Sequence, residues 1–332
     1  MDDLKKISLE KKIVISVALC CYNGDEFIEQ QLVSIFNQTK QVDEIIISDD
    51  GSSDGTADKI NDLINQKKIK TPVVRFIQGE RLGITKNFER AIRACSGDII
   101  FLCDQDDIWL PEKVLSILTA FRETPNALLA FSNAHIVDKH ANKFGSTQFQ
   151  MVRMTEQLIE ELQGQHAFRC LLQRNVVTGA TVAFRKPLLD IALPFVDGWL
   201  HDEWLAILAA ASSPLTVVRE SLVLYRQHEN NQCGMVPTSV VDKITEAKVQ
   251  LLQSVGEKRI AHLVARLEPF SGGIKDEILH HAQKSLEFEQ KRKQFSQIRS
   301  KRLFQICKLI LKNQYNLYVD GWRSAVKDIV AK

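Results

Sequence analysis

Three aspartates, Asp104, Asp106 and Asp107, stand together in "FLCDQDDIWLPEKV" (residues 101–114), directly after an apolar run. A lone aspartate at such a place reads as a solvated turn that caps the next helix. Three carboxylates within four positions repel one another, so something positive has to offset them. A divalent cation does this, because Mg2+ and Mn2+ take hard oxygen ligands. Mg2+ is commonly held by one or two carboxylates together with the phosphates of a substrate. In a D-x-D arrangement one carboxylate meets the metal and the other reaches a sugar hydroxyl or a metal-bound water. A second acidic stretch, "SDDGSSDGT" (48–56), is nearly all turn residues. Part of it must be a strand-to-helix turn, with Thr56 or Asp54 as the helix cap. An aspartate exposed there can also accept a hydrogen bond from a base N–H or a ribose hydroxyl, and the turn amides suit a phosphate. Neither G-x-x-x-x-G-K-[ST] nor G-x-G-x-x-G occurs, so neither a P-loop nor a dinucleotide fingerprint is present.

These stretches sit at the ends of strands. "KIVISVALCCYN" (12–23), "EIIIS" (44–48), "PVVRFIQ" (72–78) and "DIIFLC" (98–103) are short, apolar and rich in β-branched residues. Helical spacing separates them, first in Ile28, Leu32, Ile35 and Phe36, then in Ile60, Leu63 and Ile64, then in Phe88, Ala91, Ile92 and Cys95. Strands that are apolar on both faces and alternate with helices predict a parallel sheet covered on both sides. Ligands of such sheets bind at the C-terminal strand ends, where Tyr22-Asn23, Asp49-Asp50 and Asp104–Asp107 all fall. The second half is less regular. "PEKVLSILTAF" (111–121) predicts a helix, "ALLAFS" (127–132) a strand, 152–175 mostly helix, and "TGATVAFRK" (178–186) a strand. "HDEWLAILAAA" (201–211) predicts a helix from near Asp202, "LTVV" (215–218) and "SLVLY" (221–225) two short strands, and the chain beyond about 238 only helix.

With 332 residues, length allows about two domains, or one large one with an extension. A formal net charge of only +2 argues against a whole-chain nucleic-acid binder. The seven cysteines show no C-x-x-C pair, which speaks against a structural zinc site, and their apolar settings read as reduced, buried thiols. "MDDLKKISLEKK" is charged and does not read as a signal peptide, and no apolar run approaches the roughly 18–20 residues that span a bilayer. The expected location is the cytoplasm, or the inner face of a membrane held peripherally.

"VALCCYNGDEFIEQQLVSIFNQT", "IIISDDGSSDGT", "GITKNFERAIRACSGDIIFLCDQDDIWLPEKV" and "WLHDEWLAILAAA" follow one another in that order. Together, over roughly residues 13–232, they resemble the inverting family 2 glycosyltransferases. "CDQDDIW", "HDEW" and "LYRQHENN" resemble the rhamnosyltransferase-like branch that decorates bacterial surface polysaccharides such as lipopolysaccharide. The resemblance implies an α/β chain with the A-type nucleotide-diphospho-sugar transferase fold, a mostly parallel central sheet, and a helical C-terminal extension. It divides the chain into a catalytic domain, 1–235, and an extension, 236–332. Within the first, 13–107 would bind nucleotide and 108–235 would form the acceptor side.

Roles follow from the same resemblance. Cys21, Tyr22 and Asn23 would border the base, and Asp50 would hydrogen-bond a uracil or thymine ring, with Asp49 in a turn role. Asp104 and Asp106 match the D-x-D, Asp106 is the first choice for metal ligand (Mg2+ or Mn2+), and Asp107 competes with it. Lys86 and Arg81 would approach the diphosphate. Inverting transfer needs a carboxylate to take the proton of the acceptor hydroxyl, and Asp202 matches that base, with Glu203 as runner-up. Asp202 also reads as an ordinary N-cap, and the two roles are compatible. His201 reads as a neighbour, and Trp204 as core or as the floor beneath the acceptor. Gly179 would let a ligand approach the backbone on the acceptor side. Arg226 and His228 would partner the pyrophosphate or the metal, although His228 reads equally well as a surface loop residue. The donor implied is a dTDP- or UDP-sugar, dTDP-rhamnose first, and the acceptor is a glycan or lipid-linked glycan. The Q-x-x-R-W signature of processive synthases is absent, so single addition is expected. Rivals are a nucleotidyltransferase, a haloacid-dehalogenase-like phosphatase, and an inactive glycan-assembly protein on the same fold.

Residues 291–312 hold eight Lys or Arg and no acidic residue, with Leu303, Ile306 and Ile310 interleaved. This basic amphipathic helix has two readings: packing or dimerisation, and contact with anionic lipid.

Overall fold

The computed structural model describes residues 12–66, 72–229, 246–270, 276–296 and 298–330. Most of the N-terminal stretch, residues 230–234 of the "YRQHENNQCG" loop with Cys233, and the expected domain boundary at 235/236 lie outside the described residues.

The first half alternates as expected: β1 (Ile15–Cys21), α1 (Ile28–Phe36), β2 (Glu44–Asp49), α2 (Thr56–Gln66), β3 (Val73–Gln78), α3 (Ile84–Ala94) and β4 (Ile99–Asp104). All seven residues of β1 are buried, as a central strand covered on both faces requires. Its neighbours β2 and β4 run parallel to it, and β3 runs parallel to β2 on the outside. Register places the chemistry. Cys21 pairs with Asp49, and Cys20 pairs with Asp104, so Tyr22, Asp50 and the acidic loop leave the sheet at one edge.

Beyond β4 the sheet becomes mixed. It continues through β5 (Ile108–Trp109), α4 (Lys113–Glu123), β6 (Leu129–Val137), β7 (Lys143–Thr147), α5 (Gln148–Met151), α6 (Glu156–Gln163), α7 (Ala167–Gln173), β8 (Val182–Arg185), α8 (Leu189–Ala192), α9 (His201–Ser212) and β9 (Thr216–Arg226). The strand order is β3-β2-β1-β4-β8-β6-β9-β5, with β7 paired to β6. Strand β8 is antiparallel to both β4 and β6, whereas β6 and β9 are parallel. The two short strands expected at 215–218 and 221–225 are one strand, because β6 takes up the polar interruption in irregular pairing near Asn133. Two pieces went unforeseen. Strand β7 is too polar to show, and β5 is only two residues, Ile108 and Trp109, bridged to Leu224 and Val223. That bridge sets the loop 104–107 against the end of β9.

One apolar layer lies on each face of the sheet. Phe88, Phe131 and α9 form one, with Trp204 fully buried in it, and α1 and α4 cover the other. Helix α9 is apolar on nearly every side, which is how a helix inside the molecule reads. The C-terminal helices are α10 (Glu246–Leu267), α11 (Asp276–Lys293), α12 (Arg299–Leu311), α13 (Gln314–Tyr318) and α14 (Gly321–Val330). Ile260, Leu263, Leu267 and Ala282 join the core that contains α9, while Phe288, Ile306, Tyr315 and Ala325 form a small satellite core. Among the described residues no helix is long and apolar enough to cross a membrane.

Candidate active site

A cleft of about 680 Å³ opens at the sheet edge where β1, β2 and β4 end. Cys21, Tyr22, Asn23, Asp50, Asp104, Asp106, Gly179, Asp202 and His228 all line it. Lys86, Asp107, Glu203 and Arg226 do not, and each has a physical reason.

At one end, both Asp50 oxygens accept backbone N–H groups, Oδ1 from Leu82 at 2.7 Å and Oδ2 from Gly83 at 2.8 Å. An ionised carboxylate has about four lone-pair sites, so this clamp leaves capacity for a base N–H. Asp49 is turned away and holds the turn, accepting from Ser52 and from the Cys21 thiol. Burial pushes the Cys21 thiol well up, so it stays protonated. Asn23 has a left-handed φ of 49°, which Asn tolerates, and its Oδ1 accepts from Ser53 N at 2.9 Å. The Arg81 guanidinium lies 4.7 Å from the centre of the Tyr22 ring, at this nucleotide end of the cleft. Lys86 is committed elsewhere. Its Nζ donates to Phe195 O at 2.8 Å and to Glu89 at 3.1 Å, away from the cleft lining.

The acidic loop is fastened from both sides. Gln105, the middle residue of the D-x-D, accepts from Tyr22 N at 2.8 Å and donates to Tyr22 O at 3.1 Å, tying the ends of β1 and β4 together. Arg226 is fully buried and donates inward, to Asp106 O at 2.6 Å, Gln30 Oε1 at 2.8 Å and Lys139 O. Its own N–H donates to Asp107 Oδ1 at 2.9 Å. Arg226 was expected at a pyrophosphate; its guanidinium donates to the loop 104–107, Gln30 and Lys139 and does not line the cleft. Asp107 is buried and does not line the cleft. Burial raises its pKa strongly, and the charges of Asp106 and Asp104 add to this. His228 reaches the cleft, with Nε2 2.9 Å from Asp106 Oδ2 and its ring stacked on Phe27 at 4.8 Å.

Asp104 faces the cleft but is surrounded mostly by protein. Burial pushes its pKa up to about 8, helped by Asp106 and Asp202 and opposed by Lys113. Lys113 is a residue that sequence reading missed. It lies in the first turn of an amphipathic helix, where a lysine normally faces water. Here it is fully buried, donates to Ala180 O at 2.7 Å, and sits 3.7 Å from the centre of the Trp109 ring. Burial lowers its pKa to about 7 against the pull of Cys103, Asp107 and Asp104. Among the described residues no three His, Cys, Asp or Glu side chains converge as a ready-made metal cage. Asp104 and Asp106 offer hard oxygen ligands, with an imidazole nitrogen of His228 beside them, a set short of ligands that fits a Mg2+ or Mn2+ completed by substrate phosphates.

Across the cleft stands Asp202, in the first turn of α9. Its Oδ2 accepts from Gly179 N and its Oδ1 from Glu203 N, both at 2.8 Å. Burial raises its pKa, and those amides partly offset the rise. Gly179 serves this carboxylate rather than leaving room for ligand. A Cβ there would stand 2.9 Å from His201 Nε2 and 3.4 Å from Asp202 Oδ2. Glu203 points the other way, into a pair with Arg259 of α10 at 2.8 Å. Glu203, the expected runner-up base, therefore does not line the cleft.

A model of the family described as Glycosyl transferase family 2 matches residues 16–189. The dTDP-rhamnosyl transferase RfbG of Shigella flexneri is 29% identical over 232 residues, 65% of this chain and 73% of that protein. The solved structure of S. aureus TarS, residues 1–349 in complex with UDP-GlcNAc, is similar with a TM-score of 0.55 at 14% identity, covering 96% of this chain and 88% of that one. Mannosyltransferase PcManGT from Pyrobaculum calidifontis, in complex with GDP-Man and Mn2+, gives a TM-score of 0.53 at 15% identity over 96% and 85% of the two chains. At such identities these two structures speak for the fold.

Proposed function

The chain belongs to glycosyl transferase family 2, and from that premise we propose a metal-dependent, inverting transfer of one sugar from a nucleoside diphosphate to a glycan or lipid-linked glycan. The observation that carries this reading is the facing pair of acidic sites in one cleft, Asp104 and Asp106 on the sheet edge and Asp202 on α9, with Asp50 at the nucleotide end. The relative named as a dTDP-rhamnosyl transferase supports dTDP-rhamnose as the first donor to try. The complex of the mannosyltransferase with Mn2+ supports a divalent cation.

In this reading Tyr22 and Asp50 hold the base, and Asp104 and Asp106 with His228 hold the cation. The cation, when bound, supplies charge stabilisation to the departing diphosphate. Asp202 takes the proton of the acceptor hydroxyl as its oxygen attacks the anomeric carbon from the face opposite the leaving group. The proton moves to an Asp202 oxygen, and the sugar–phosphate bond pair leaves with the nucleoside diphosphate. Lys86, Asp107, Glu203 and Arg226 have no part at the reacting atoms. Two rivals, nucleotidyltransferase and phosphatase, belong to other families. Cytoplasmic residence with peripheral contact at the inner membrane face is part of the proposal.

The test is calorimetric titration with dTDP, UDP and GDP, each with Mn2+ and with EDTA. Binding that needs Mn2+, and is lost in Asp106→Ala, is the expected result. Preference for UDP over dTDP would keep the class and discard rhamnose. No binding of any nucleotide would overturn the reading.

A further inference from the structure

His201 precedes Asp202 on α9 and lines the same cleft. Its imidazole is only 4% exposed and lies flat on Phe88, with ring centres 3.7 Å apart and planes 14° from parallel. Both ring nitrogens are buried and neither has a hydrogen-bond partner among the described residues. Leaving a buried polar group unpaired is unfavourable, and a phenyl ring would fill the same stack without that cost. Two such nitrogens at the wall of a cleft point to partners that arrive with a ligand.

The form of the imidazole narrows the ligand. Burial lowers its pKa to about 3, and its place in the first turn of a helix disfavours a positive charge further. It is therefore a neutral ring with one N–H donor and one acceptor nitrogen. A phosphate has no strong use for the acceptor. A sugar hydroxyl both donates and accepts. Place agrees with chemistry. Nε2 lies beside Gly179, whose backbone N–H is bound by Asp202 Oδ2, while Phe88 ties the ring to the nucleotide-side helix α3.

Resting on the proposed transfer reaction, we infer that His201 hydrogen-bonds hydroxyl groups of the transferred sugar and fixes the sugar ring against Asp202, so that it helps to determine which sugar is accepted. It is a positioning residue, with no proton moved to or from it.

The experiment uses the full chain with 15N-labelled histidine and a panel of dTDP-rhamnose, UDP-glucose, UDP-N-acetylglucosamine and GDP-mannose, each paired with its nucleoside diphosphate. The His201 signals are those missing in His201→Phe. They should move when the bound nucleotide sugar is added and stay in place with the nucleoside diphosphate alone. In kinetics, His201→Phe should bind the nucleoside diphosphate as the unaltered chain does and lose about 10- to 100-fold in kcat/KM. His201→Gln, which restores a donor and an acceptor, should recover part of that loss. Signals that ignore the sugar, or that respond equally to the nucleotide alone, overturn the inference, and so does unchanged kcat/KM in His201→Phe. Should the phenylalanine variant fail to fold, His201→Gln supplies the missing signals and the unaltered chain still decides by its spectra. Failure of the unaltered chain to bind any member of the panel would instead remove the parent reading, and this one with it.

Discussion

Asp202 is the residue on which the proposed chemistry turns. Asp202→Asn keeps the shape but only one of the two amide contacts, since its NH2 cannot accept the other N–H; it leaves the nucleotide end of the cleft untouched, so nucleotide binding should persist. Transfer should fall by about 10²–10⁴, the usual worth of a positioned base. Single-turnover assays with saturating donor measure this, and transfer at the unaltered rate would refute the role. The same carboxyl sets a pH dependence. Burial raises its pKa, and a base works only when ionised, so activity is lost as pH falls through a value above the ordinary aspartate figure of about 3.9. A kcat/KM profile whose acid limb lies at or below that figure would contradict the assignment. At this scale the sequence was informative about residue types at strand ends and silent about direction. Asp50, Asp104 and Asp202 face the cleft as read. Asp107 and Glu203, one position along, face away, because loop and helix-start geometry decides which of two adjacent carboxylates is turned inward. His201 looked like a bystander for a related reason: nothing in "LHDEWL" tells that its nitrogens lack partners.

The elements explain why so much rests on residues outside the chemistry. Cys20–Asp104 and Cys21–Asp49 pairing delivers Asp50 and the acidic loop to one edge, and this was legible as soon as four apolar strands were seen to alternate with helices. The antiparallel β8, the two-residue β5 and the continuous β9 were not legible, since their pairing is long-range and their apolar runs are short. Arg226 belongs to this scale. It ends β9 and holds the carbonyls of Asp106 and Lys139 together with Gln30. A lysine cannot reproduce the planar fork. Arg226→Lys should lower stability by about 1–3 kcal/mol, as expected when buried carbonyl acceptors lose their donors, and should weaken Mn2+-dependent nucleotide binding. Urea unfolding and calorimetry check both. An unchanged urea midpoint would show that the fork is dispensable.

For the whole molecule, the C-terminal helices matter twice. Helix α12 buries Arg302, Ile306 and Leu309 on one side. At 3.6 residues per turn, Phe304 and Leu311 fall on the opposite side, 73% and 88% exposed, with Lys301, Lys308 and Lys312 along one edge. Of the three apolar positions read as the helix face, Ile306 goes inward while Leu303 and Ile310 flank the outer stripe. An apolar stripe edged by lysines suits an anionic lipid surface. Co-sedimentation with vesicles containing phosphatidylglycerol should exceed that with phosphatidylcholine alone, and Phe304→Ser with Leu311→Ser should abolish it. Equal binding to both vesicle types would remove the membrane from the proposal. Helix α10 matters differently. Its Arg259 pairs with Glu203, stacks 4.2 Å from the centre of Trp199, and accepts from the Trp199 indole, while Arg266 caps the carbonyls of Leu193 and Pro194. The start of α9, Asp202 included, is thus anchored to Arg259, more than fifty residues downstream. An engineer who grafts a new tail onto this scaffold, or trims it to the portion matched by the family, would be replacing part of the mount of the active site, and a chimera would have to carry Arg259 and its seat across the junction.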